Sequence, residues 1–240
     1  MTGAVAGGIV AGAALAAGGG AYAAMWPASQ LFGRTLIAPA RPGEIALTFD
    51  DGPNPACTPR LLELLDRHNV KAAFFLVGKY ASQEPGLTRR IADAGHTVGN
   101  HTWSHPNLAL TAPRRVREEL RKTNDALEQI TGKPVRFFRP PFGARRPDVL
   151  HGARELGMIP VLWNAMTNDW AEPSAERIAA ALGGKIESAK QRGRAANVVL
   201  HDGGHLQLGT NREPSVKAAG LLLERFSKSQ RFVTVDEWQG

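Results

Sequence analysis

The sequence predicts an α/β fold, a barrel of about seven parallel strands preceded by a hydrophobic N-terminal helix. Three observations carry that prediction. Short apolar runs alternate with amphipathic helical patterns, the arrangement that a parallel sheet with crossover helices produces. The runs number seven, which favours a barrel over an open sheet. No Gly-x-Gly-x-x-Gly turn follows the first run, so a dinucleotide-binding sheet is unsupported.

The elements follow in order. Gly3–Ala24 hold ten Ala and seven Gly, and the first charged side chain is Arg34. About 20 uncharged residues are long enough to span a bilayer as a helix. Residues 1–26 therefore read as a hydrophobic N-terminal segment, a membrane anchor or a signal. Ala21-Tyr22-Ala23 resembles a small-x-small cleavage site, although no Lys or Arg precedes the apolar run. A flexible Ala/Gly leader is the plain alternative, and orientation stays open. Residues 27–43, with Pro27, Gly33, Pro39, Pro42 and Gly43, read as a linker, and residues 44–240 as the folded domain. No motif lies upstream of Gln30, so a chain starting there is expected to fold and act.

Strand-length apolar runs lie at Ile45–Phe49, Ala72–Val77, Thr97–Val98, Arg136–Phe138, Ile159–Trp163, Asn197–Leu200 and Phe232–Val235. Between them, Thr58-Pro59 starts a helix carrying Leu61, Leu62, Leu64 and Leu65. Thr111 starts another, with Val116, Leu120, Leu127 and Ile130 on one face and Gly132 at its end. Ile178 and Leu182 mark a third helix and Leu221–Leu223 a fourth.

Composition removes several functions. The single cysteine, Cys57, excludes an intramolecular disulfide and a Cys-based zinc cluster. A metal site must then use His, Asp and Glu, and seven histidines make that feasible. The net charge of +7 predicts attraction to anionic lipid or acidic wall polymers. Most charges of the basic stretches Arg114–Lys122, Arg136–Arg146 and Lys190–Arg194 read as solvating helix faces, and no nucleic-acid partner is expected.

The apolar runs end in polar clusters. These are Asp50-Asp51-Gly52-Pro53, Asn100-His101-Thr102-Trp103-Ser104-His105, Arg139-Pro140-Pro141-Phe142-Gly143, Asn168-Asp169-Trp170 and His201-Asp202. In a parallel barrel the C-terminal strand ends open on one face, where active sites gather. His101 and His105 have i, i+4 spacing, and on a helical turn both imidazoles reach one ion. Taken alone, such a pair reads better as two unrelated surface histidines, and Asp-Asp-Gly-Pro as simple turn chemistry. Together, two histidines and one carboxylate leave open coordination positions, a catalytic pattern. Adjacent Asp50 and Asp51 are tolerable if one binds a cation and the other faces a guanidinium. His201 and His205 repeat the spacing, but Gly203-Gly204 between them opposes a helical turn, so that pair reads as a decoy.

In this order, Thr-Phe-Asp-Asp-Gly-Pro, His-Thr-x-x-His, Arg-x-Pro-Phe-Gly, Asp-Trp and Leu-His-Asp resemble the five motifs of polysaccharide deacetylases, the NodB-homology, carbohydrate esterase family 4 enzymes. The resemblance spans Glu44 to Trp238. It implies a distorted (β/α) barrel and a metal-dependent hydrolase that removes N-acetyl groups from an amino-sugar polymer, peptidoglycan or chitin-like. Acetylated xylan or a small cyclic amide is the alternative substrate. It implies one divalent ion, zinc, with cobalt or nickel as alternatives, held by Asp51, His101 and His105. Asp50 resembles the catalytic base, Arg139 the arginine that orients it, His201 the general acid and Asp169 the group that tunes it. The backbone N–H near Phe142 resembles the oxyanion donor; the family often has Tyr there, a change a backbone donor tolerates. Trp170 and Leu200 resemble walls of the acetyl pocket. The expected partners are the N-acetylated polysaccharide and, through the N-terminal segment, a membrane; no obligate protein partner is evident. The expected location is the cell envelope, with the catalytic domain outside the cytoplasm, or secretion after cleavage.

Overall fold

The computed structural model describes residues 20, 22 and 24–239, so most of the expected N-terminal helix lies outside the described residues. Among the described residues eight strands form one sheet: β1 (Glu44–Asp50), β2 (Ala73–Leu76), β3 (Thr97–Asn100), β4 (Phe137–Phe138), β5 (Ile159–Pro160), β6 (Ala165–Met166), β7 (Ala196–His201) and β8 (Arg231–Val233). Their order is β5-β4-β3-β2-β1-β7-β6, with β8 also on β1, and every pair is parallel. β1 is the hub. β7 pairs with it from Ile45↔Ala196 to Asp50↔His201. Its other edge is shared between β8 at Glu44–Ala46 and β2 at Thr48–Asp50. A parallel strand covered on both faces reads as a near-continuous apolar run, which is why Ile45–Phe49 stood out.

Each of the seven predicted runs overlaps a strand. The eighth, β6, has two residues, too few to show a period. Among the described residues β5 and β6 do not pair, so the barrel is incomplete. Leu36 instead lies beside Val161: its N–H donates to Pro160 O at 2.7 Å and its carbonyl accepts from Leu162 N–H at 3.1 Å. The segment read as a linker is thus packed against the sheet edge, with Ser29 and Ala38 buried and Pro39 O accepting from Ala195 N–H at 2.9 Å.

The helices are α1 (Thr58–Arg67), α2 (Gly78–Gln83), α3 (Pro85–Asp93), α4 (Pro113–Thr131), α5 (Pro147–Glu155), α6 (Ala175–Gln191) and α7 (Glu213–Phe226). The four predicted helices are α1, α4, α6 and α7. α4 begins at Pro113, because Thr111 turns its hydroxyl to Asn107 O at 2.8 Å; Gly132, left-handed at φ 68°, ends it. α2, α3 and α5 went unread because each is nine residues or shorter.

Strand alternation separates two cores. Ile45, Leu47, Phe49, Phe74, Leu76, Val198 and Leu200 pack outward against the helices. Ala46, Ala73, Phe75, Phe137 and Val161 fill the barrel. Thr48 and Asp50 share the inward parity of Ala46, which carries Asp50, and His201 beside it, to the barrel mouth.

Candidate active site and metal centre

Asp50 ends β1 and Asp51 opens the following turn in a left-handed conformation, φ 70°. That reversal sends two adjacent carboxylates to different partners. Asp50 Oδ1 accepts from Arg139 Nη1 at 2.7 Å. The same Nη1 donates to Thr48 Oγ1 at 2.7 Å, and the guanidinium lies 4.0 Å over the Phe75 ring. Arg139 is fully buried, and burial lowers its pKa while Asp50 raises it. The guanidinium partner expected for one of the paired aspartates is therefore present.

Asp51 Oδ1 faces His105 Nε2 at 3.2 Å and His101 Nε2 at 3.5 Å. The two histidines do not sit on a helical turn, contrary to the expectation. They lie in the loop after β3, where Thr102 (φ 66°) and His105 (φ 58°) are left-handed. Side chains supply the order a helix would have given. Asn100 Oδ1 accepts from Thr102 N–H at 2.8 Å, and its amide donates to Leu120 O on α4 at 2.8 Å. Ser104 donates from N and Oγ to Glu119 on α4 at 2.7 and 2.6 Å. His101 Nδ1–H donates to Arg139 O at 2.8 Å; a carbonyl only accepts, so Nε2 carries the free lone pair.

This donor set fits a divalent cation. One ligand atom from each of Asp51, His101 and His105 lies within 4.8 Å of the others, and all three residues are buried. Asp51 Oδ1 is buried with no hydrogen-bond partner among the described residues, which suits an oxygen that ligates a cation. Burial, then the adjacent His101, push the His105 imidazole down to about 3, so it is neutral, as ligation requires. Burial opposes ionisation of Asp51, but the surrounding histidines outweigh it and hold the carboxyl below the usual carboxylate range.

His201 ends β7 beside Asp50. Its Nδ1–H donates to Asp169 Oδ1 at 2.8 Å and its backbone N–H to Asp169 Oδ2 at 2.8 Å. Ser215, at the start of α7, donates to Oδ2 at 2.7 Å. Burial would lower the His201 pKa, yet Asp169 more than reverses this and lifts it to about 9. Ser215 carried no sequence signal, since a helical serine far from any motif looks ordinary.

A cleft of about 300 Å³ opens over these groups. Phe142, left-handed at φ 58°, stands edge-on to His105 with centroids 4.7 Å apart, and Trp170 stands edge-on to His201 at 5.1 Å. Pro140 and Pro141 have no N–H, so Phe142 offers the first backbone donor of that loop. Leu200 does not line the cleft. It is fully buried in the helix-side core, because it alternates with inward-facing His201, and Val199 together with Trp163 and Met166 forms the apolar wall instead.

His205, read as a decoy, joins the site without a helical turn. Its ring stacks on His105 at 4.3 Å, and its Nδ1 lies 3.6 Å from Asp51 Oδ2. Arg212 also lines the cleft, donating to Gly203 O at 2.8 Å. Two glycines permit the tight meeting of the first and last motifs. A Cβ at Gly52 would lie 2.6 Å from Asp202 Oδ2, and one at Gly203 would lie 2.1 Å from Asp51 O. Asp202, fully buried against Thr58, has its pKa raised to about 7, chiefly by burial.

The polysaccharide deacetylase family model matches residues 38–161. A peptidoglycan-N-acetylglucosamine deacetylase of Bacillus cereus is 38% identical over 210 residues, 86% of this chain and 72% of that one. A chitooligosaccharide deacetylase of Bradyrhizobium is 36% identical over 186 residues, 75% of this chain and 82% of that one. A solved structure of a peptidoglycan N-acetylglucosamine deacetylase superposes with a TM-score of 0.73 at 36% identity, covering 83% of this chain and 89% of that one. With five motifs brought to one barrel mouth and a family match of this extent, the chain belongs to the polysaccharide deacetylases.

Proposed function

We propose that the protein is a metal-dependent N-deacetylase of an amino-sugar polymer, peptidoglycan or a chitin-like chain. One observation carries this reading. Asp50 and His201 are register partners at the ends of β1 and β7, each held by its own counter-charge, Arg139 and Asp169, beside a three-residue ligand group. An amide needs a base for the attacking water and an acid for the leaving amine, and the two groups are opposite in charge.

Asp51, His101 and His105 would hold the ion, zinc in this reading, with cobalt or nickel as alternatives. When bound, such an ion supplies Lewis-acid polarisation of the acetyl carbonyl and lowers the pKa of a water toward ~7. Asp50, fixed through Oδ1 by Arg139, keeps Oδ2 to take a proton from the attacking water. The Phe142 N–H stabilises the negative oxygen of the tetrahedral adduct. His201, with Nδ1–H on Asp169, gives its other proton to the departing amine. Trp163, Met166, Trp170 and Val199, which line the cleft together, exclude water around the acetyl methyl.

Acetate release from N-acetylated chitin oligomers, peptidoglycan and acetylated xylan, with and without chelator, tests this. Release from the first two, abolished by chelator, is expected. Release from xylan alone would make the protein an esterase, and full activity in metal-free protein would overturn the mechanism.

We further propose that the uncharged N-terminal stretch tethers the enzyme to the envelope membrane, with the barrel outside the cytoplasm. The absence of charge before Arg34 supports it. No described helix is long and apolar enough to cross a membrane. Carbonate extraction of full-length protein is expected to leave it in the membrane fraction, and a soluble, uncleaved chain would refute the tether.

A further inference from the structure

Arg145 is a buried cation for which the reaction above has no use. It follows the Phe142–Gly143 turn by two residues and is 1% exposed. Its hydrogen-bond partners among the described residues are main-chain carbonyls. Nη1 donates to Gly143 O at 2.9 Å and, more weakly, to Ala24 O at 3.4 Å. Nη2 donates to Trp26 O at 2.6 Å and Ser29 O at 2.9 Å, and the backbone N–H donates to Ala24 O at 3.0 Å. One guanidinium therefore ties residues 24–29 to the turn that carries Phe142. Burial is the cause that lowers its pKa.

The turn needs such a tie. Phe142 and Gly143 are both left-handed, φ 58° and 68°. For a non-glycine residue that conformation costs about 1–2 kcal/mol and persists only where the surroundings over-determine it. The surroundings here are two walls. A Cβ at Gly143 would lie 3.1 Å from the Trp163 ring on one side and 3.8 Å from Met25 O on the other. The N-terminal strap is itself ordered, with Trp26 N–H on Tyr22 O at 2.9 Å and the two rings stacked at 6.1 Å.

We propose that Arg145 is a positioning residue: it straps residues 24–29 across the Phe142–Gly143 turn and so aims the Phe142 N–H at the reacting carbonyl. The inference rests on the deacetylase reading for its catalytic consequence. It also revises the expectation that residues before Gln30 are dispensable, because a chain starting there lacks the carbonyls of Ala24, Trp26 and Ser29.

The test compares full-length Arg145→Met and Arg145→Lys with a chain starting at Gln30. Displacing a transition-state donor costs about 10²-fold. The expected result is a loss of kcat of that order in Arg145→Met and in the shortened chain. KM and zinc affinity, the latter from competition with a chromogenic chelator, should be little changed, and Arg145→Lys should recover part of the loss. Hydrogen exchange at the Gly143 and Ala144 amides, which donate to Pro140 O and Pro141 O at 2.9 Å, should quicken while the His101–His105 loop stays protected. Unchanged kcat and exchange in Arg145→Met would overturn the proposal. So would general loss of structure in both altered forms, because the strap would then be a folding element and not a positioning one. The exchange measurement needs no substrate, so it still judges the strap if the full chain releases no acetate.

Discussion

Asp50→Asn is expected to keep the metal and lose turnover, whereas His101→Ala is expected to lose both. The division follows from the left-handed Asp51, which parts the two carboxylates. Asp51 Oδ1 sits 3.2 Å and 3.5 Å from the two histidine Nε2 atoms, while Asp50 Oδ2 is 3.9 Å from His101 and its Oδ1 is taken by Arg139. An asparagine at position 50 still accepts from Arg139 Nη1 but has no lone pair of useful basicity for a proton. Removing a general base lowers kcat by about 10²–10⁴-fold. The change also leaves the buried guanidinium without its counter-charge, and breaking a buried pair costs up to about 3–5 kcal/mol, less here because one hydrogen bond survives. The melting temperature should therefore fall with metal still bound. His101→Ala removes a ligand whose orientation is set by Arg139 O, and its zinc content should drop with its activity. Zinc content and acetate release measured on both variants decide the matter. Equal metal loss in the two would mean that the aspartates have been assigned wrongly.

The sequence carried the fold where side chains repeat at a period and the chemistry where polar residues interrupt one. β1 and β7 are buried on both faces, so they showed as apolar runs and their ends could be located. The candidate metal-binding group was legible because Asp51 and His101 directly follow the ends of β1 and β3, with His105 four residues beyond His101. Conformation within the loops was not. Nothing in His-Thr-Trp-Ser-His reveals that Thr102 and His105 are left-handed, since the hydrogen bonds that fix their neighbours Ser104 and Asn100 come from Glu119 and Leu120, over ten residues away. Leu200 was misplaced for a different reason. A motif gives neighbours in sequence, but strand parity decides that Val199 and His201 share the inner face while Leu200 joins the outer core. His205 was read as a decoy, and Arg145 was not singled out, because the places of both depend on chain segments that meet only after folding.

His201→Ala is expected to keep zinc and substrate binding and to lower kcat by about 10²–10⁴-fold, the range for losing a general acid. A neutral imidazole cannot protonate the leaving amine, and burial alone would make His201 neutral at working pH. Asp169 prevents this. It lies 2.8 Å from Nδ1 and is itself held by the His201 N–H and the Ser215 hydroxyl, so it cannot turn away. The imidazole pKa rises to about 9. The acid form is thus present across the neutral range, and the alkaline limb of the pH–rate profile should fall as pH rises through about 9. Stability follows the same sign. The folded pKa is above the free value of 6.5, so the pair's contribution is complete below 6.5 and is lost as pH rises through about 9. Asp169→Asn retains an acceptor for Nδ1–H but removes the charge that favours the imidazolium. Its alkaline limb should move to lower pH, with zinc content unchanged, while Ser215→Ala should move it less, because a neutral donor is lost and the carboxylate stays. Profiles of kcat against pH for wild type and the three variants measure this. A limb that stays in place in Asp169→Asn, or a kcat unchanged in His201→Ala, would remove His201 from the acid role.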